Sequence, residues 1–121
     1  MRLKVAAWNA EWAVPASGRG AEVRGHLCGG SFDVVCLTEA CAGLLPPDGS
    51  QIASTPDYGY PLKPGRRKVI LWSRSAWTEV DFGEGTPLPP GRFASGITRT
   101  PIGDVRFIGV CIPWKDAHVR N

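Results

Sequence analysis

Two polar residues follow apolar segments, at positions where their side chains could share a cation. Asn9 closes a short apolar run at residues 3–8, and Glu39 closes a second one at residues 32–37. If these runs are parallel neighbouring strands, their carboxyl ends meet at one sheet edge, where ligands of α/β sheets bind. A carboxylate and an amide oxygen suit a hard cation such as Mg²⁺. The simpler alternatives are a surface carboxylate for Glu39 and, for Asn9, a turn residue that hydrogen-bonds its own backbone.

The elements that would position these residues begin in the order strand, helix, strand. Residues 3–8 predict the first strand, and residues 21–27 predict two helical turns. Gly29 and Gly30 are expected to end that helix in left-handed conformations. Residues 32–37 are rich in β-branched side chains, which predicts a strand buried on both faces. This order indicates a βαβ beginning.

The remainder of the chain predicts strands with irregular connections. Residues 42–63 contain four prolines and predict a long loop. The basic run at residues 66–68 predicts the solvated end of that loop. Further strands are predicted at residues 68–73, 77–82, 93–100 and 105–112, the last two joined by a tight turn. The pattern favours an α/β or α+β sandwich.

Composition restricts the class of protein. The 121 residues suffice for one domain at most, and 14 Lys and Arg against 11 Asp and Glu give a net charge of +3. This mild positive charge permits a phosphate ester but does not demand nucleic acid. No stretch of about 18 apolar residues predicts a membrane span. The charged beginning of the chain does not predict a signal peptide, so we expect a cytoplasmic protein with reduced cysteines.

Several segments together resemble the endonuclease/exonuclease/phosphatase superfamily. Residues 4–9 read Lys-Val-Ala-Ala-Trp-Asn, and residues 32–39 end in Leu-Thr-Glu, with Thr38 where the family usually has Gln. Residues 68–74 and 92–112 resemble the third strand and the hairpin that follows it. The resemblance implies the N-terminal half of a deoxyribonuclease I-like, four-layer α/β sandwich with a mixed sheet. Residues 1–121 would then form one partial domain whose second half is absent from this sequence.

The resemblance also implies metal-dependent hydrolysis of phosphodiester or phosphomonoester bonds. Glu39 would be the metal-binding carboxylate and Asn9 would orient the metal or the scissile phosphate, with Mg²⁺, or alternatively Mn²⁺, as cofactor. Arg92 matches a basic residue placed before the later hairpin, and its guanidinium suits phosphate oxygens. The family's histidine is replaced near Pro113, so His118 could take its role only if the loop folds back.

Departures from the family pattern leave three functions open. The Asp-x-Asn motif of the family's second half does not occur in this sequence, which implies a weakly active or inactive phosphoesterase. The alternative is a non-catalytic binding or split-partner module, whose partner would cover an exposed sheet face. A zinc protein is the third possibility, although the cysteine spacings do not match paired knuckles. Its ligands would be His26, Cys28, Cys36 and Cys41. The expected partners are a phosphate-ester substrate, with nucleic acid as one candidate, and no membrane.

Overall fold

The structure is a computed structural model that describes residues 1–61 and 63–113. Its elements in chain order are β1 (Val5–Asn9), α1 (Gly18–Gly29), β2 (Val34–Cys41), a 3₁₀ turn (Ala42–Leu44), β3 (Ser50–Ala53), β4 (Arg66–Ser73), β5 (Trp77–Asp81), β6 (Phe93–Thr100) and β7 (Gly103–Val110). One sheet has the order β1-β2-β4-β3 and the other the order β5-β6-β7. The first sheet is mixed, because β1 and β2 are parallel whereas its other pairs are antiparallel. The predicted α/β class with a mixed sheet is confirmed.

Helix α1 is longer than the predicted two turns. The Ser17 side chain caps its start by accepting a hydrogen bond from the Gly20 N–H at 3.0 Å. The prediction of left-handed glycines at its end is wrong: Gly30 remains right-handed at φ −83°, and Ser31 is left-handed instead. A Cβ atom on Gly30 would collide with the Phe32 ring, so the glycine here makes room for packing. No helix in the described part of the chain is long and apolar enough to cross a membrane.

Three layers, one helical and two of sheet, pack around two cores. In the first core, Val23 and Leu27 of α1 pack with Ile70 of β4. In the second core, between the sheets, Leu71 of β4 packs with Ala94 of β6. Side chains alternate between the faces of a strand, so adjacent residues of β4 supply both cores. Strand β4 therefore joins the two halves of the fold.

The predicted parallel pairing of β1 with β2 is confirmed, and it brings the end of β1 beside a residue within β2. Asn9 is the register partner of Thr38, the residue before Glu39. Beyond β1, the Ala10 N–H donates to the Thr38 carbonyl at 2.9 Å, and the Trp12 N–H donates to the Glu39 carbonyl at 2.7 Å. The turn after β1 is therefore fixed against the second half of β2.

Two predictions for the middle of the chain are wrong. Residues 42–63 are not only a loop, because Ser50–Ala53 forms β3 and pairs with β4. The basic run at residues 66–68 is not a solvated loop end, because it forms the first part of β4. Its pairing with β2 continues to Cys41 opposite Arg66, and this ladder carries Lys68 into the interior at 7% exposure.

The outer face of the β5-β6-β7 sheet carries exposed apolar side chains. On β7, Ile108 is 61% exposed and Val110 is 44% exposed. Such a face is a place where a partner could bind. The partner predicted for an exposed sheet face stays a prediction.

Candidate anion-binding site

An ion pair between the two central strands of the mixed sheet lies at the centre of the site. The Lys68 ammonium of β4 is 3.2 Å from Oε2 of Glu39 on β2. The Lys68 side chain is 9% exposed and that of Glu39 25% exposed. Glu39 lies within the strand and not after it, and its φ of +50° is unusual for a residue other than glycine.

Three aromatic rings surround the Lys68 ammonium. Its nitrogen is 5.0 Å from the centroid of Trp12, 5.3 Å from that of Tyr58 and 5.7 Å from that of Tyr60. Trp12 and Tyr58 stack with centroids 5.7 Å apart. Attraction to the ring faces offsets part of the cost of removing the ammonium from water. The rings therefore help to hold a buried cation at this site.

Arg92 is buried immediately before β6, and only part of its hydrogen-bonding capacity is used. The residue is 4% exposed, and its guanidinium is 5.7 Å from the Tyr60 centroid. Nη1 donates to the Cys111 carbonyl at 3.4 Å, whereas Nε and Nη2 have no partner among the described residues. A buried donor without an acceptor costs roughly 1–3 kcal/mol. An acceptor supplied by a ligand would remove that cost.

These residues line a cleft of about 420 Å³. Arg66 also contributes, with its guanidinium 4.9 Å from the Trp12 centroid. We call this the cationic cleft, lined by Trp12, Tyr58, Tyr60, Pro61, Lys63, Arg66, Lys68 and Arg92. Four of these residues are basic and none is acidic, which favours an anionic ligand.

Asn9 uses its side chain in a different depression. Its Oδ1 accepts a hydrogen bond from the Glu11 N–H at 2.9 Å, and the residue lines a hollow with Arg19 and Glu22 of α1. The backbone thus brings Asn9 to the end of the strand that carries Glu39, while each side chain has another partner. A cation shared by Asn9 and Glu39 stays a prediction.

The remaining predicted site residues have different outcomes. Arg92 is not a loop residue in water but a wall of the cationic cleft. His118 lies outside the described residues. The zinc hypothesis is wrong, because within residues 1–61 and 63–113 no three or more His, Cys, Asp or Glu side chains gather into a metal site. Its proposed ligand Cys36 packs in the core between the sheets.

Cys111 lies beside the cleft but is poorly suited to be a nucleophile. Burial raises the pKa of its thiol, Lys68 and Arg92 lower that pKa, and Glu39 raises it; the net direction is upward. The pKa of the Cys36 thiol is also raised, first by burial and then by Cys111. Since the thiolate is the reactive form, both thiols are expected to be unreactive at neutral pH.

Comparison with known proteins identifies the fold. No family model and no curated protein matches the sequence. Among solved structures, the chain is similar to an endonuclease/exonuclease/phosphatase from Beutenbergia cavernae, with a TM-score of 0.64 and 18% identity. This chain has the endonuclease/exonuclease/phosphatase fold. The match covers 95% of this chain and 39% of the other, so this chain spans about two fifths of that protein's length.

The strand-end resemblance is thus confirmed at the level of fold, but several residues of the cleft were missed. Trp12, Tyr58 and Tyr60 come from turns and loops, where no periodic pattern assigns a side chain to a face. Arg66 and Lys68 carried a usable signal. Extending the apolar strand upstream places residues two apart on the same face, so both side chains could have been assigned to one side of the sheet.

Proposed function

We propose that the chain binds phosphate esters in the cationic cleft and takes part in their hydrolysis with a divalent cation at Glu39. The observation that carries this proposal is the buried Arg92 guanidinium, whose Nε and Nη2 have no described partner. These two nitrogens form one edge of a rigid planar group that matches two oxygens of a phosphoryl group. Both nitrogens are buried, so a phosphoryl group would reach this edge only after the side chains that cover it move aside. The fold supports the same class of ligand by analogy alone.

The chain's own residues would bind and orient the ester. Arg92 would donate to phosphoryl oxygens from one side, and Arg66 and Lys63 line the same cleft. Trp12 and Tyr60 lie against the guanidinium groups, with Trp12 under Arg66 and Tyr60 under Arg92. Donors fixed before the ligand arrives stabilise developing negative charge without reorganising.

Glu39 is the residue that would hold a cation, and Asn9 could join it only if its Oδ1 released the hydrogen bond from the Glu11 N–H. Their oxygens match the preference of Mg²⁺, which commonly uses one or two carboxylates together with water and substrate phosphate. Mn²⁺ is the alternative. Such an ion polarises phosphoryl oxygens when bound. Because Lys68 already pairs with Glu39 at 3.2 Å, the ion must compete with that ammonium. We therefore expect weak metal binding and slow turnover or none.

One variant at the proposed site and one control variant test the metal-dependent activity. Hydrolysis of 4-nitrophenyl phosphate and of its bis ester would be followed with Mg²⁺ and with EDTA. Glu39→Gln should abolish any Mg²⁺-dependent rate and weaken Mg²⁺ binding measured by calorimetry. Glu79→Gln removes a carboxylate that pairs with Arg106 at 3.3 Å outside the cleft, and should change neither. Mg²⁺-dependent activity that survives Glu39→Gln would contradict the proposal.

A binding module without catalysis is the second candidate, favoured by the same ion pair. Lys68 neutralises Glu39 before any metal arrives, so the cleft already presents net positive charge to an anion. This candidate predicts that inorganic phosphate binds equally well in EDTA and in Mg²⁺. The catalytic candidate predicts tighter phosphate binding in Mg²⁺, because a bound cation would add positive charge beside the phosphate, and this coupling is reciprocal.

A further inference from the structure

We infer that the cationic cleft selects phosphomonoester dianions of small molecules over phosphodiester monoanions. The inference rests on the proposed phosphate binding and adds the charge and the size of the ligand. It follows from which basic groups are already neutralised, from the geometry of the free edge of Arg92 and from the volume of the cleft.

Two guanidinium groups in the cleft form no ion pair with a carboxylate of the described chain. Over residues 1–61 and 63–113 the ion pairs involve other basic residues or Lys68, whose partner is Glu39. Arg66 and Arg92 therefore have no carboxylate oxygen within the 4.0 Å of an ion pair in the described chain. Lys63 adds a third positive charge at the exposed rim. A phosphomonoester, which carries a charge near −2 above its second pKa of about 6, matches two guanidinium charges better than a diester does.

The number of free phosphoryl oxygens points the same way. The unpartnered Nε and Nη2 of Arg92 are buried, and they form the side of the guanidinium that would engage two oxygens at once after the covering side chains move aside. A diester has two terminal oxygens, so this edge would use both. A monoester has a third, which remains for Arg66 or Lys63 in the same cleft.

The aromatic rings keep both guanidinium groups in place before a ligand binds. Arg66 lies 4.9 Å from the Trp12 centroid, and Arg92 lies 5.7 Å from the Tyr60 centroid. Each ring already restricts the arginine side chain beside it, so less rotamer freedom is lost when a ligand binds. The cleft of about 420 Å³ falls within the range of roughly 300–1,000 Å³ usual for small-molecule sites. A small phosphomonoester fits these limits better than an extended polymer.

A matched pair of ligands tests the charge preference directly. Phenyl phosphate and methyl phenyl phosphate share the ring and differ by one methyl group and one charge. Their binding to the full chain would be measured by calorimetry in EDTA at pH 8 and low salt. We expect phenyl phosphate to bind at least about tenfold more tightly, because the extra charge meets a partly buried guanidinium.

Two arginine variants test whether a residue of the cleft causes this preference for the dianion. Arg66→Gln should reduce the preference for phenyl phosphate several-fold. Arg67→Gln removes the same charge from the next residue, which does not line the cleft, and should leave the preference unchanged. Because neither variant changes the buried Arg92, the test does not depend on whether the chain folds without that side chain.

The outcomes separate this inference from the proposed function. Equal binding of the two ligands, or tighter binding of the diester, would overturn the charge preference and leave phosphate binding intact. Binding of neither would overturn both. An unphosphorylated oligonucleotide that binds as tightly as its 5′-phosphorylated form, and more tightly than phenyl phosphate, would overturn the small-molecule assignment in favour of a polymer.

Discussion

The guanidinium of Arg92 combines a binding role with a cost to stability. Two of its nitrogens are buried without an acceptor in the described chain, and its remaining hydrogen bond, to the Cys111 carbonyl, is long at 3.4 Å. Burying a charge in this way destabilises a fold unless a partner compensates it. Ligand binding therefore explains a buried arginine at this position better than a contribution to fold stability does.

Replacing Arg92 should therefore separate binding from stability. Arg92→Met keeps the length and apolar contacts of the side chain but removes its charge and donors. We expect affinity for inorganic phosphate to fall at least about tenfold, and the melting temperature to stay unchanged or rise by a few degrees. Calorimetry and thermal unfolding monitored by circular dichroism would measure the two effects. A lower melting temperature with phosphate binding retained would show that Arg92 is structural.

The buried thiols predict how stability changes in alkali. Burial raises the pKa of Cys36 and of Cys111 in the folded chain. In the unfolded chain these thiols ionise near pH 8.5. Their stabilising contribution is complete below that pH and is lost as pH rises through the higher folded pKa, because the unfolded state releases its protons first.

Urea unfolding at pH 7.5 and at pH 10 would test this prediction. The free energy of unfolding should fall between the two, and Cys36→Ala should make the fall smaller. Cys28→Ala, at an exposed position of α1, is the matched control and should not alter it. An equally steep fall in Cys36→Ala would contradict a role for the buried thiol.

At the scale of elements, strand β4 shows what the sequence could and could not predict. Residues 68–73 were predicted as a strand, because an unbroken run of β-branched and large residues indicates a buried strand. Its first two residues, Arg66 and Arg67, were missed, because local charge predicts solvation. Only pairing with β2, a strand about 30 residues distant in the chain, gives Lys68 a partner in Glu39.

The segment before β6 depends on one glycine. Gly91 adopts a φ of +69°, and a Cβ atom there would collide with the Asp57 carbonyl oxygen of the loop that carries Tyr58. The position next to Arg92 therefore needs a glycine both for its conformation and for its lack of a side chain.

A comparison of two glycines separates these effects. Gly85 has a similar φ of +78° but open space around its Cα, so Gly85→Ala should cost only about 1–2 kcal/mol of unfolding free energy. Gly91→Ala adds the collision and should cost at least about 2 kcal/mol more. It should also weaken phosphate binding by moving Arg92. Chemical denaturation would measure both variants, and equal costs would show that the loop gives way without strain.

At the scale of the whole molecule, the order of layers was predictable but the cleft was not. Strand, helix and strand in sequence indicated a parallel pair at the start of a sheet, and Glu39 and Arg92 were identified from the resemblance. The cleft itself joins residues from β4, the turn after β1, the loop before β4 and the start of β6. Its formation depends on the approach of two sheets, which no local pattern encodes.

The two cores should unfold as one unit, because β4 supplies both. Ile70 is fully buried on the helix side and Leu71 is 1% exposed between the sheets. Ile70→Ala and Leu71→Ala should each lower the free energy of unfolding by roughly 2–5 kcal/mol. Val80→Ala, at a position 40% exposed on β5, should cost less than about 0.5 kcal/mol.

Urea unfolding should show one transition in every variant. Trp72 reports on the helix-side core and Trp77 packs against the core between the sheets, so fluorescence samples both. Coincident curves from fluorescence and far-ultraviolet circular dichroism would indicate a single cooperative fold. If Leu71→Ala split the transition while Ile70→Ala only shifted it, the sheet β5-β6-β7 would be a separate unit. The cationic cleft, which needs Arg92 from the start of that sheet and Lys68 from the other, could then open without global unfolding.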